Sequence, residues 1–200
     1  PGRIESIEYD PNRNAKLARV IYPDGERKYL LASQGVVVGD ALINGDTAPI
    51  KPGNSLPLGK IPVGTQVFNL EVSPGKGGQI VRSGQSSATV QGREEEFVLI
   101  KLPSGEIRRF ANECYATVGQ ASGDPKETLH LAGRRRRMGR RPRVRGVAMH
   151  PAAHPHGGGE GRSGVGMPSP KTPWGKKARG VRTRKKNKYS KRLIVSRRRP

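Results

Sequence analysis

Two hundred residues suit one or two domains, but only 32% are apolar and 4% aromatic, so any core is small for the chain length. The formal charge of +22 is unevenly held: residues 1–125 carry 14 Lys+Arg against 14 Asp+Glu, and residues 126–200 carry 24 against 2. No apolar run approaches the ~20 residues of a membrane span, and the single cysteine, Cys114, excludes an intramolecular disulfide or a cysteine-rich zinc module.

From the amino end, residues 3–9 and 16–22 are short alternating runs containing β-branched and aromatic side chains. "PDGE" at 23–26 supplies Pro and Gly for a tight turn, so the pattern predicts two strands, a hairpin turn and a third strand over 27–32. "GVVVGD" and "ALINGD" across 35–46 add short strand-like pieces, and the Pro/Gly-dense "KPGNSLPLGKIPVG" at 51–64 reads as a connector. A second set opens with the alternating "TQVFNLEV" at 65–72 and continues over 79–82, 87–91, 97–102, 107–111 and 114–118, with "PSGE" at 103–106 as another turn. The expected architecture is all-β: two small barrels, 1–52 and 53–124. Because the chain starts at Pro1 with neither methionine nor a signal-like region, it reads as a processed form or a fragment, and truncation would cost the first barrel a strand.

Residues 126–131 suit a short helix or turn, and from Arg134 onward no autonomous fold is expected of the long basic segment 125–200. Its longest apolar cluster is Leu193, Ile194 and Val195, too little burial to offset chain entropy and self-repulsion. A membrane surface would ask for a basic amphipathic helix, which the 11 Gly and 7 Pro of residues 126–200 forbid. Nucleic acid is the better polyanion.

The basic residues are punctuated by small or stiff ones in "GRRRRMGRRPRVRG" at 133–146 and "PKTPWGKKARGVRTRKKNKYSKR" at 170–192, and "SRRRP" ends the chain. Arginine forks bind phosphate bidentately, lysine supplies point charge, glycine admits close approach and proline keeps the chain extended. The expected RNA contacts are Arg134, Arg135, Arg140, Arg141, Arg143, Arg145, Arg162, Lys176, Arg182, Arg184, Lys185 and Lys186, with Trp174 and Tyr189 stacking on exposed bases. In the barrels, the loops "YDPNRN" at 9–14 and "PGKGGQIVRSG" at 74–84 nominate Arg13, Lys76 and Arg82 for phosphate, against the plainer reading of turn charges facing solvent. A disordered solubilising tail or localisation signal is the bland alternative for the basic segment; the recurrence of Gly, Pro, Trp and His between the charges disfavours it.

"HPAAHPHGGGEG" at 150–161 gathers His150, His154 and His156, a conceivable zinc set. Pro151 and Pro155 deny helical geometry and Glu160 lies beyond three glycines, so no metal site is expected; His154 and His156 are instead expected to hydrogen-bond or stack on RNA. The "GEGRSG" at 159–164 matches G-x-G-x-x-G but lacks the preceding strand, the following helix and the later acid that a dinucleotide site needs. His154 with Glu160 is the only plausible catalytic pair in the tail, and it sits on a segment without a scaffold of its own.

Taken together, "EYDPNR", "PGKGGQ", "RPRVRGVAM", "HPHGGGEGR", "TPWGKKARGVRTRKKNKYS" and "IVSRRR" resemble the universal large-subunit ribosomal protein two family of bacterial or organellar type, over residues 8–199. The resemblance implies an OB-like barrel, a Src-homology-three-like barrel and an extended tail entering large-subunit rRNA near the peptidyl transferase region. It also implies an extension and a first barrel strand ahead of Pro1, so the OB-like domain is expected to be incomplete as given. The implied roles are primary rRNA binding, subunit association, tRNA binding and assembly of the peptidyl transferase centre. The implied partners are large-subunit rRNA, small-subunit rRNA at the subunit interface, tRNA indirectly and other ribosomal proteins, with no membrane and no small-molecule substrate. The setting is a cytoplasmic or organellar ribosome, with no cofactor beyond magnesium held through rRNA. Arg13 and Arg82 match family positions implicated in rRNA contact. His154 matches a histidine for which a direct part in peptidyl transfer has been argued and disputed. Here "MHPAAHPH" departs from the usual "MNPVDHPH" at His150, Ala152 and Ala153, which removes the acid nearest His154 and disfavours a relay. A DNA-compacting protein would share the basic tail but gives no reason for two charge-balanced barrels.

Overall fold

The computed structural model describes residues 1–124 and 128–197. The expected boundary at residue 125, the start of the 126–131 segment and the final residues of "IVSRRR" and "SRRRP" lie outside the described residues. The chain divides into two units, Pro1–Lys126 with Tyr189–Pro200, and Glu127–Lys188.

In the first unit, β1 (Gly2–Glu8), β2 (Leu17–Ile21), β3 (Arg27–Leu31) and β4 (Ala41–Leu42) form an antiparallel sheet in the order β3-β2-β1-β4. Alternation along β2 sends Ala18 and Val20 inward to meet Ile4, Ala32 and Leu42. Gly2 opens β1 because a Cβ there would stand 2.5 Å from the Val20 Cγ1. The β1/β2 register shifts between Ile4 and Ser6, and Glu5, at that shift, meets Arg19 and Arg27 at 3.1 and 3.0 Å. Of the strand-like pieces expected over 35–46 only β4 forms; Val37 and Val38 lie in a turn, each 60% exposed.

The second sheet gathers β5 (Ser55–Pro57), β6 (Gln66–Phe68), β9 (Ala88–Arg93), β10 (Phe97–Lys101), β11 (Ile107–Ala111) and β12 (Tyr115–Val118); β7 (Leu70–Glu71) and β8 (Gly78–Ile80) pair as a separate ribbon. A last strand, β13 (Ile194–Ser196), completes the order β13-β11-β10-β9-β6-β12-β5. Val67, Val90, Val98, Ile100 and Phe110 alternate into one core with Leu56, Leu58 and Ile61. Those last three come from the stretch expected to be a connector. Its prolines hide a strand in sequence because β5 is an edge, where Pro57 removes no needed ladder donor. A small third cluster, Ala15, Leu31, Phe68 and Ala121, joins the sheets, helped by a Ser33–Ala121 bridge. The fold is all-β, two curled sheets of small-barrel type, as expected.

The segment 194–196 gains in space what it lacked in sequence, a partner: β13 pairs antiparallel with β11, and the Arg109 N–H donates to the Leu193 carbonyl at 2.8 Å. The second unit has a different build. It holds one short helix, α1 (Ala132–Arg137), with no buried residue, a 3-10 turn at Gly146–Ala148, and a small hairpin closed by a Lys171–Lys177 bridge. Among its described residues His154 alone is buried.

Candidate nucleic-acid interface

In the first barrel, the loop after β1 is shaped by Asp10. Its Oδ1 accepts the Asn12 N–H at 2.9 Å and its Oδ2 accepts Arg13 Nε at 2.7 Å. The Asn12 amide first, then Arg13, hold the Asp10 carboxyl below the usual carboxylate range. Arg13 is thus fixed by one edge of its guanidinium, and its Nη donors remain for an outside acceptor.

The second loop turns at Val81, whose φ of 55° is costly for a β-branched residue. Two things hold it: its carbonyl accepts the Asn69 N–H at 2.8 Å, and its side chain packs against both neighbouring clusters. The strand expected over 79–82 therefore ends at Ile80, and Arg82 is left exposed in a loop. Gly84 then passes the Asn14 carbonyl so closely that a Cβ would come within 2.9 Å of its oxygen, and a Cβ on Gly123 would come within 2.5 Å of the same atom. The loops that carry Arg13 and Arg82, residues 69 positions apart in sequence, thus touch at Asn14 and Gly84. Lys76 is not with them. It is exposed in the loop at the opposite end of the β7–β8 ribbon, where Glu71 organises the turn by accepting the Gly77 N–H at 2.9 Å.

In the basic unit, residues 129–143 curl around an open concavity of about 1310 Å³ whose lining includes Arg135, Arg136, Arg140, Arg141 and Arg143. Arg134, Arg145, Arg162, Trp174, Lys176, Arg182, Arg184, Lys185 and Lys186 are all exposed. None lies on a strand or is packed into a core; Arg134 is on α1, and Trp174 and Lys176 are on the hairpin closed by the Lys171–Lys177 bridge.

His154 and His156 each use one ring nitrogen within the loop itself. The His156 N–H donates to His154 Nδ1 at 3.0 Å, and the Lys171 N–H donates to His156 Nε2 at 2.8 Å. The rings sit 4.7 Å apart, tilted by 57°. These bonds fix the tautomers: the neutral His154 ring carries its proton on Nε2, and the His156 ring on Nδ1. A Cβ on Gly146 would meet three atoms of the His154 ring at 2.5 to 2.7 Å, so the imidazole lies against a bare glycine backbone. Gly157 passes equally close to the His150 carbonyl, and its N–H donates to the His154 carbonyl at 2.8 Å. Sequence reasoning missed Gly146, which stands between Arg145 and Val147 without any local sign of this contact; the glycines that begin at Gly157 are expected to let the chain turn sharply.

Chemically, the His154 lone pair is already used by a backbone amide, and no carboxylate bonds the ring among the described residues. The arrangement holds a loop and offers an Nε2–H donor. Among the described residues no group of three His, Cys, Asp or Glu side chains converges to hold a metal ion.

Small β-barrels with arginine-bearing loops in contact and a long cationic segment rich in Gly and Pro define an RNA-binding protein of the ribonucleoprotein class. Residues 1–44 match the family described as Ribosomal Proteins L2, RNA binding N-terminal domain, and residues 51–175 match Ribosomal Proteins L2, C-terminal domain. The chain belongs to the ribosomal protein L2 family, structural rRNA-binding components of the large ribosomal subunit.

Proposed function

We propose that, within the large subunit, this chain helps to assemble the peptidyl transferase centre and supports subunit association and tRNA binding, without performing chemistry itself. The paired loops carrying Arg13 and Arg82 would dock on folded rRNA, Lys76 would add a second phosphate contact, and the arginines and lysines of residues 134–186 would neutralise interior phosphates. Contacts to small-subunit rRNA would be direct and those to tRNA indirect.

One observation carries the non-catalytic reading: His154 is buried against Gly146 with Nδ1 engaged by the His156 amide. A ring so held orders the His–Gly loop, and an ordered loop can shape an RNA neighbourhood. The test is His154→Gln and His154→Ala in subunits reconstituted around the full chain. Assembly should suffer, while fully assembled particles keep peptide-bond formation within about tenfold, a barrier change near 1.4 kcal/mol. Loss of several orders of magnitude in correctly assembled particles would instead place His154 in the reaction.

A further inference from the structure

We infer that Trp174 is a base-stacking finger, a hairpin tip that takes the face of one unpaired nucleobase in ribosomal RNA. The inference rests on the rRNA-binding reading above and adds a particular residue and ligand class to it. Three hairpins of the chain, "YPDGE" at 22–26, "LPSGE" at 102–106 and "TPWGK" at 172–176, share one build. In each, the glycine N–H donates to the carbonyl of the first residue, at 2.9, 2.8 and 2.9 Å. The first residue's N–H donates to the carbonyl of the fifth, at 2.9, 2.9 and 2.7 Å, and the glycine has a φ of 82°, 83° and 77°. Proline sets the entry and left-handed glycine the exit, so the tip backbone is rigid in all three.

The residue between the proline and the glycine changes character. In the two barrel hairpins it is Asp24 or Ser104, whose side-chain oxygen accepts the N–H of Glu26 at 3.0 Å or of Glu106 at 3.5 Å. In the third it is Trp174, whose indole has no acceptor to give the turn, is 82% exposed, and belongs to none of the hydrophobic clusters. No hydrogen bond or apolar cluster among the described residues involves the indole. A large aromatic at a position suited to Asp or Ser points to a partner outside the chain.

The local charge identifies that partner. Lys171, Lys176, Lys177 and Arg179 lie within five positions of the indole, and residues 161–188 contain no Asp or Glu. A flat π-face with a cationic rim matches a stacked base whose flanking phosphates need neutralising. A protein surface would have to be acidic and apolar at one spot to do as well. Pro173 and the left-handed Gly175 narrow the conformations open to the tip, which lowers the ordering entropy lost on contact.

Trp174 is the only tryptophan, so indole fluorescence of the full chain reports on this site alone. Titration with a large-subunit rRNA transcript should quench it, and a fully paired RNA duplex of matched length should not. W174A should weaken transcript binding by about 5- to 150-fold with an unchanged salt slope, W174F should stay within a few-fold, and K176A should lower the slope by about one. Circular dichroism should show W174A folded as wild type. Unperturbed fluorescence at saturating rRNA, or W174A binding rRNA as wild type does, would overturn the inference. So would quenching that occurs only with other large-subunit proteins. Failure of the wild-type chain to bind the transcript at all would overturn the rRNA-binding reading beneath it.

Discussion

Residues 1–124 and residues 128–188 of one chain keep their shapes by different means. The first set balances its charge and folds around three clusters in which Phe68, Ile4, Leu58, Ile61 and Ile100 are fully buried. The second set contributes no residue to those clusters; its shape rests on short-range backbone bonds, left-handed glycines and two imidazole acceptors. Apolar burial stabilises the one without help. The other carries an excess of positive charge that only a polyanion can offset. The lesson is that a protein can carry its own fold and borrow the rest from RNA, with the boundary marked by where carboxylates cease to match lysines and arginines.

Salt separates the two regions most sharply. With 6 to 10 phosphate contacts, rRNA affinity of the full chain should fall roughly a thousandfold to a hundred-thousandfold between 50 and 200 mM salt, while thermal unfolding of the barrels barely moves. Filter binding alongside calorimetry checks both. Phe68→Ala should act in the opposite sense, destabilising the barrels by about 3–5 kcal/mol in denaturant unfolding while leaving the salt slope of rRNA binding unchanged.

Gly146→Ala is a smaller probe, aimed at the basic unit. A methyl there collides with the His154 ring, and about 1–3 kcal/mol of local strain should appear, in the rRNA-bound protein, as lost amide protection at His156 and Lys171, with the barrel unfolding curve unmoved. Arg82→Ala should lower the salt slope by about one and weaken binding only a few-fold.

Cys114 supplies a gentle pH test of the barrels alone. Burial, then the Glu71 charge, push its thiol from the ordinary 9.0 up to about 11. Between those values the native state keeps a proton that the unfolded state releases, so barrel stability should be flat below about pH 9 and decline as pH rises towards 11. Alkylation at pH 8 should follow global unfolding.

Much of this was legible in the sequence because it is local. The strands β1, β2, β3, β10 and β11 follow alternation, and the turns at 23–26 and 103–106 follow Pro and Gly, all within windows of a few residues. What escaped is long-range. β5 was masked by prolines that matter only in a central strand, and β13 depends on a partner more than 80 residues earlier. The Val81 turn is held by Asn69 and packing across the sheets, and the contact between the loops that carry Arg13 and Arg82 depends on Gly84 and Gly123 making room at Asn14. The histidines stood out in the sequence by their clustering. Their hydrogen-bond partners, two backbone amides, have no sequence signature.

Amide hydrogen exchange on the full chain, with and without large-subunit rRNA, tests the division most directly. Amides of β1, β2, β9 and β10 should be protected to the same degree in both states, while those of residues 128–188 should exchange rapidly in the free protein and become protected on the RNA. Strong protection of residues 128–188 without RNA, or barrels that need RNA for theirs, would contradict the account.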